Sequence, residues 1–102
     1  MSQYVKITVL KKLHFPDLID KYAGKPMESC ARFQEGQSYV TDGRKVPDGF
    51  CTWAFSDIFK DILMVRQNAE CGSADGKCQV ASCTDGYRPV VFLVEPWSVP
   101  DV

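Results

Sequence analysis

The chain reads as one α+β domain, a small and mainly antiparallel sheet of about four strands with one long and one short helix packed on one face. Three observations predict it. Strand-like segments recur at 4–10, 38–41, 79–84 and 89–95; two stretches, within 15–24 and 53–68, place apolar residues at helical spacing; and 102 residues at 45% hydrophobic can fill one core but not two. Residues 1–102 are therefore expected to form a single domain, with 96–102 as a frayed tail bounded by Pro96 and Pro100.

The first segment alternates, with Val5, Ile7 and Val9 on one face and Tyr4, Lys6, Thr8 and Leu10 on the other, the period of a half-buried strand. Pro16 then suits a first helical position and Gly24 a helix end, while Phe15, Leu18, Ile19 and Tyr22 form a docking stripe between them. From Lys25 to Gly49 the pattern weakens under Pro26, Gly36, Gly43 and Pro47, and only Ser38-Tyr39-Val40-Thr41 suggests a strand.

Val46-Pro47-Asp48-Gly49 has type I turn chemistry and delivers the chain into the clearest element, a helix over 53–68. Its stripe is Phe55, Ile58, Phe59, Ile62 and Val65, with Ser56, Asp57, Lys60, Asp61 and Gln67 largely off it and Thr52 as the expected N-cap. Cys71 to Cys78 is small, polar and aperiodic, hence a loop. The strands 79–84 and 89–95 follow, joined through Asp85-Gly86. A two-residue turn would set Pro89 where the ladder needs an N–H, so a three-residue loop placing Pro89 opposite Cys83, or pairing with other strands, is favoured.

Twelve basic against thirteen acidic residues give a net charge of −1, which argues against a nucleic-acid partner, whose grip needs a basic footprint on one face. The longest apolar runs, 62–65 and 90–94, are far short of the roughly 18 residues of a membrane span, so no membrane partner is expected. The first six residues show no leader pattern, and a cytoplasmic location is the expectation.

Five cysteines in such a chain are its compositional oddity. Their spacings of 21, 20, 7 and 5 lack the paired knuckles of a structural zinc site. His14 is the single histidine, and no nucleophile elbow surrounds Ser82 or Cys83, so a Cys-His or Ser-His-Asp arrangement has little support. Cys51 stands just before the expected N-cap, where the helix end favours a thiolate modestly and a second cation, Arg88, would be needed to activate it. Cys30 lies in an irregular stretch and Cys83 at a strand end, so Cys30, Cys51 and Cys83 are candidate ligands for a soft transition metal such as zinc, or a thiol redox set. The bland alternative is that these are small core residues.

In Thr84-Asp85-Gly86-Tyr87-Arg88-Pro89, Arg88 is a candidate anion-binding fork and Asp85 a candidate acceptor of a proton or cation; against this, Asp85 and Gly86 serve the turn while Arg88 pairs locally. Cys51, Cys83, Asp85 and Arg88 are thus the candidate reactive set, with Trp53 and Asp57 as neighbours. Cys71 and Cys78 bracket a loop short enough to bridge if it folds back, or are two free thiols on a tolerant loop.

Gly49-Phe50-Cys51-Thr52-Trp53-Ala54-Phe55-Ser56-Asp57-Ile58 and Cys83-Thr84-Asp85-Gly86-Tyr87-Arg88-Pro89-Val90-Val91-Phe92 together resemble the signature of a family of small prokaryotic proteins without an assigned activity. Val5 to Leu10 and Cys30 to Gln37 resemble it too, although a proline follows the first cysteine in that family where this chain has Ala31. The resemblance implies a site near Cys30, Cys51 and Cys83, with Cys71 and Cys78 in a variable loop, and names no cofactor or substrate. Two functions of different class are therefore carried forward. One is a thiolate-centred site for metal or redox chemistry; the other is a non-catalytic module binding a small molecule or protein, with cysteines as packing residues.

Overall fold

The computed structural model describes residues 4–98. Its strands are β1 (Tyr4–Lys12), β2 (Ser38–Thr41), β3 (Gln79–Ser82) and β4 (Val90–Trp97), in one antiparallel sheet of order β2-β1-β4-β3. The helices are α1 (Pro16–Leu18), continuing as a π-helical turn Ile19–Ala23, then α2 (Thr52–Asp57) and α3 (Phe59–Arg66). This is the α+β architecture that the periodicities predict.

Alternation puts Val5, Ile7 and Val9 of β1 and Val90, Phe92 and Val94 of β4 on the covered face of the sheet. Ala54, Phe55 and Ile58 from the first helical segment and Ile62 and Val65 from α3 complete this core. Phe33 and Phe50 come from non-repetitive segments yet sit at its centre, with ring centroids 4.9 Å apart and 5.2 and 5.4 Å from Phe92. Edge-to-face packing of Phe33 on Phe50 and Phe92 lets loop segments be held as firmly as strands.

Several expectations are corrected. Pro96 and Trp97 are not part of a frayed tail: they end β4, opposite Val5 and Tyr4, and residues 99–102 lie outside the described residues. The single helix over 53–68 is two, broken at Ile58, whose amide is shared between the Ala54 and Ser56 carbonyls. Cys51, not Thr52, is the N-cap. The break re-aims the second segment, so Asp61 is buried at 4% exposure while Phe59 is 40% exposed. Asp61 accepts from Gln79 Nε2 (2.9 Å), and Gln79 in turn accepts the Gly72 amide, tying the 71–78 loop to α3.

The docking stripe of the short helix shrinks to Ile19, because the turn after Leu18 widens to π spacing and carries Tyr22 off the face. Gly24 does end it, at φ 72°, as the left-handed cap expected there. The β3–β4 register pairs Ser82 with Val91 and bonds Cys83 N–H to the Val90 carbonyl, so residues 84–89 lie outside the ladder rather than three. Pro89 is therefore not opposite Cys83. Its carbonyl and that of Tyr87 face the other way, accepting the amides of Leu13 and Phe15 beyond β1.

Candidate functional site

The 84–89 connection is shaped from within. Asp85 Oδ1 accepts the amides of Tyr87 (2.9 Å) and Arg88 (3.2 Å), and its Oδ2 pairs with Arg88 Nε at 3.1 Å. Burial raises the Asp85 pKa, but the Tyr87 amide and the guanidinium and amide of Arg88 outweigh it, and the carboxyl ends below its ordinary range. Asp85 therefore does the work of the turn, and Arg88 pairs locally.

A second tie holds this connection against α2. Asp57 Oδ2 accepts both the amide (2.8 Å) and the hydroxyl (3.0 Å) of Thr84, and Trp53 Nε1 donates to the Thr84 hydroxyl oxygen at 3.1 Å. The third wall is the segment following α1. Gly36 N–H donates to the Val9 carbonyl and Val9 N–H to the Gln37 carbonyl, both at 2.8 Å, and His14 Nε2 hydrogen-bonds the Met27 carbonyl at 2.8 Å. Phe33, at 1% exposure, anchors that wall in the core.

Between these walls lies a cleft of about 610 Å³. Met27 and Cys30 to Phe33 line it from the segment after α1, Cys51, Trp53 and Ala54 from the start of α2, and Cys83 to Arg88 with Val90 from the sheet end. Cys30, Cys51, Cys83, Asp85 and Arg88 thus all border one cavity. Asp57 acts from behind it through Thr84, and His14 through Met27, without lining it.

The three thiols are free and half-buried. Cys30, Cys51 and Cys83 pack against the hydrophobic core, and Cys83 Sγ also accepts the Val90 amide at 3.3 Å. They do not form a metal triad: among the described residues no group of three or more His, Cys, Asp or Glu side chains is placed to hold an ion. The expected ligand set Cys30, Cys51 and Cys83 is therefore not assembled as a metal site in this structure. The helix behind Cys51 is only six residues long, and Arg88 commits Nε to Asp85, so the expected cationic help to Cys51 is already shared with a carboxylate.

Cys71 and Cys78 are unbridged and outside the cleft. Burial first, then Asp61 and Asp75, raises the Cys71 pKa; burial, Asp75, Glu95 and Cys71 raise that of Cys78 against a smaller lowering by Ser73.

Arg32 and Met27 were not legible as site residues. The one signal near Arg32 was its place between Cys30 and an aromatic, which marks the segment that Phe33 pins to the core.

The fold and cavity define a small α+β protein with a thiol-lined cleft at one end of its sheet. No protein-family profile matches the chain, and neither a curated protein nor a solved structure is similar to it.

Proposed function

We propose that this protein is a small-molecule-binding module and that the cleft between residues 27–33, the start of α2 and the 84–89 connection is its site. The observation that carries this reading is the cleft itself: its volume of about 610 Å³ is in the range of ligand pockets, and its apolar floor of Phe33, Ala54 and Val90 is rimmed by a few polar groups. The cysteines serve as compact, polarizable wall. The motif likeness to small prokaryotic proteins, which falls on Cys30, Cys51 and Cys83, supports the same location.

The test uses the neutral fluorophore N-phenyl-1-naphthylamine and an occluding variant. Gly86 borders the cleft, has no positive φ, and a Cβ built there meets nothing within 4 Å, so the backbone accepts a side chain at this position and Gly86→Trp adds bulk at the cleft border. The wild type is expected to enhance the dye with one site per chain, and Gly86→Trp, folded by circular dichroism, to lose it. Equal enhancement by both proteins, or none by either, would remove the proposal.

A second reading, thiol redox chemistry, is favoured by one observation: three free thiols from three separate segments border the same cavity. Its measurement is thiol reactivity in the native and the denatured protein. Rapid native labelling of Cys51 supports it; labelling only after unfolding leaves the cysteines as wall.

A further inference from the structure

Resting on the cleft as a ligand site, we infer that its occupant is an organic monoanion, a carboxylate carried on a flat apolar body. Two guanidiniums, Arg32 and Arg88, border the cavity, and the single carboxylate among the described lining residues is Asp85. Asp85 is fully engaged: Oδ2 takes Arg88 Nε, and Oδ1 takes two backbone amides. Among the residues that line the cavity two cations face one anion, an excess of one positive charge that complements a single carboxylate; Asp57, behind the lining, commits Oδ2 to the amide and hydroxyl of Thr84.

The pairing also orients Arg88. With Nε held at 3.1 Å by a carboxylate that is itself fixed to the backbone, the Nη edge remains, and among the described residues it donates to no protein group. That edge is the part of a guanidinium that takes an oxyanion bidentately. Arg32 is exposed and forms no ion pair among the described residues. The flat body is argued from Trp53, 67% exposed and held by its indole N–H on Thr84, and from Tyr87, which lines the same cavity. A ring fixed at its edge presents a ready stacking surface at little entropic cost. A dianionic phosphate would exceed the rim's charge by one unit, and a neutral alcohol would leave the Nη edge to water.

The experiment is isothermal titration of the full chain, kept reduced, with 2-naphthoate, 2-naphthalenemethanol and 2-naphthyl phosphate. A charge-assisted contact predicts that naphthoate binds one per chain and about tenfold or more tighter than the alcohol. Arg88→Gln is expected to lower naphthoate affinity about tenfold, until acid and alcohol bind alike. Arg32→Gln should reduce the same preference and stands in if Arg88→Gln does not fold. Alcohol binding as tightly as naphthoate overturns the anion inference while the dye experiment still upholds the cleft. Phosphate binding more tightly than naphthoate overturns the monoanion. Failure of all three ligands, together with failure of the neutral dye, removes the cleft reading as well.

Discussion

The tie between Asp57 and Thr84 gives the most direct test of how this fold holds its cleft. Thr84 donates twice to one carboxylate oxygen, through its amide at 2.8 Å and its hydroxyl at 3.0 Å. Hydrogen bonds to a charged group contribute about 1.5–3 kcal/mol each when shielded. These lie at the surface, where water competes and can take over the freed amide, so Asp57→Ala is expected to cost about 1–2 kcal/mol in all. For a domain of this length, that lowers the thermal midpoint by about 5–10 °C. Asp57→Asn keeps one acceptor oxygen without its charge, and should lose about half as much.

The assay is urea denaturation of both variants in a Trp97→Phe background, which leaves Trp53 as the only indole. Trp53 reports locally as well, since its indole N–H ends on the same threonine hydroxyl. Loss of Asp57 should therefore shift native Trp53 emission to the red while the unfolding slope stays constant. An Asp57→Ala protein as stable as its parent, with unchanged Trp53 emission, would refute the claim that this carboxylate holds the connection.

Three further outcomes follow from other contacts. Gln79→Ala removes the donor to the buried Asp61 and the acceptor for Gly72, so it should cost about 1–3 kcal/mol and speed amide exchange across 71–78, measured by mass spectrometry. Because the folded Asp85 pKa is depressed, its contribution to stability is present above the ordinary value of 3.8 and fades as pH falls through the lower folded value; wild type should lose stability below about pH 4 more steeply than Asp85→Asn in acid titrations of the thermal midpoint. Burial holds Cys71 and Cys78 above the ordinary thiol value of 9.0, so peptide-mapped iodoacetamide labelling at pH 7.5 should be slower at both than at a free cysteine and should climb as pH passes 9.0.

The strands were legible because period-2 alternation and burial coincide: Val5, Ile7 and Val9 face the core as their spacing requires. Ser38–Thr41 was legible for its β-branched and aromatic content. The break at Ile58 was not, since it involves neither proline nor glycine and the apolar stripe runs through it unbroken. Asp61 lies off that stripe in sequence for the same reason, although the structure buries it against the side chain of Gln79, 18 residues away. Phe33 and Phe50 escaped notice because residues in aperiodic segments carry no phase. Their role rests on aromatic contacts to Tyr39 and Phe92, which sequence spacing does not encode. The β3–β4 register depended on carbonyls of the connection finding partners beyond β1, a long-range pairing invisible in a hairpin argument.

The candidate site shows the same division. That Cys30, Cys51 and Cys83 border one cavity follows from topology: Phe33 draws the first segment onto the core beside the start of α2, while the β3–β4 connection meets α2 through Thr84 and Asp57. Proximity around a cavity is a weaker condition than convergence on a point. A metal needs three or four donors within about 2.0–2.3 Å of one centre, whereas a cleft needs only side chains that share a wall. Cys83 illustrates the difference, because its sulfur already accepts the Val90 amide where the ladder ends and so helps to complete the sheet. Arg88 illustrates the converse, since pairing Nε with Asp85 removes it as a free counter-charge for Cys51 yet fixes the plane of its remaining donors. The same ion pair that argues against an activated thiolate thus argues for an oriented anion fork, and the naphthoate titration separates these consequences.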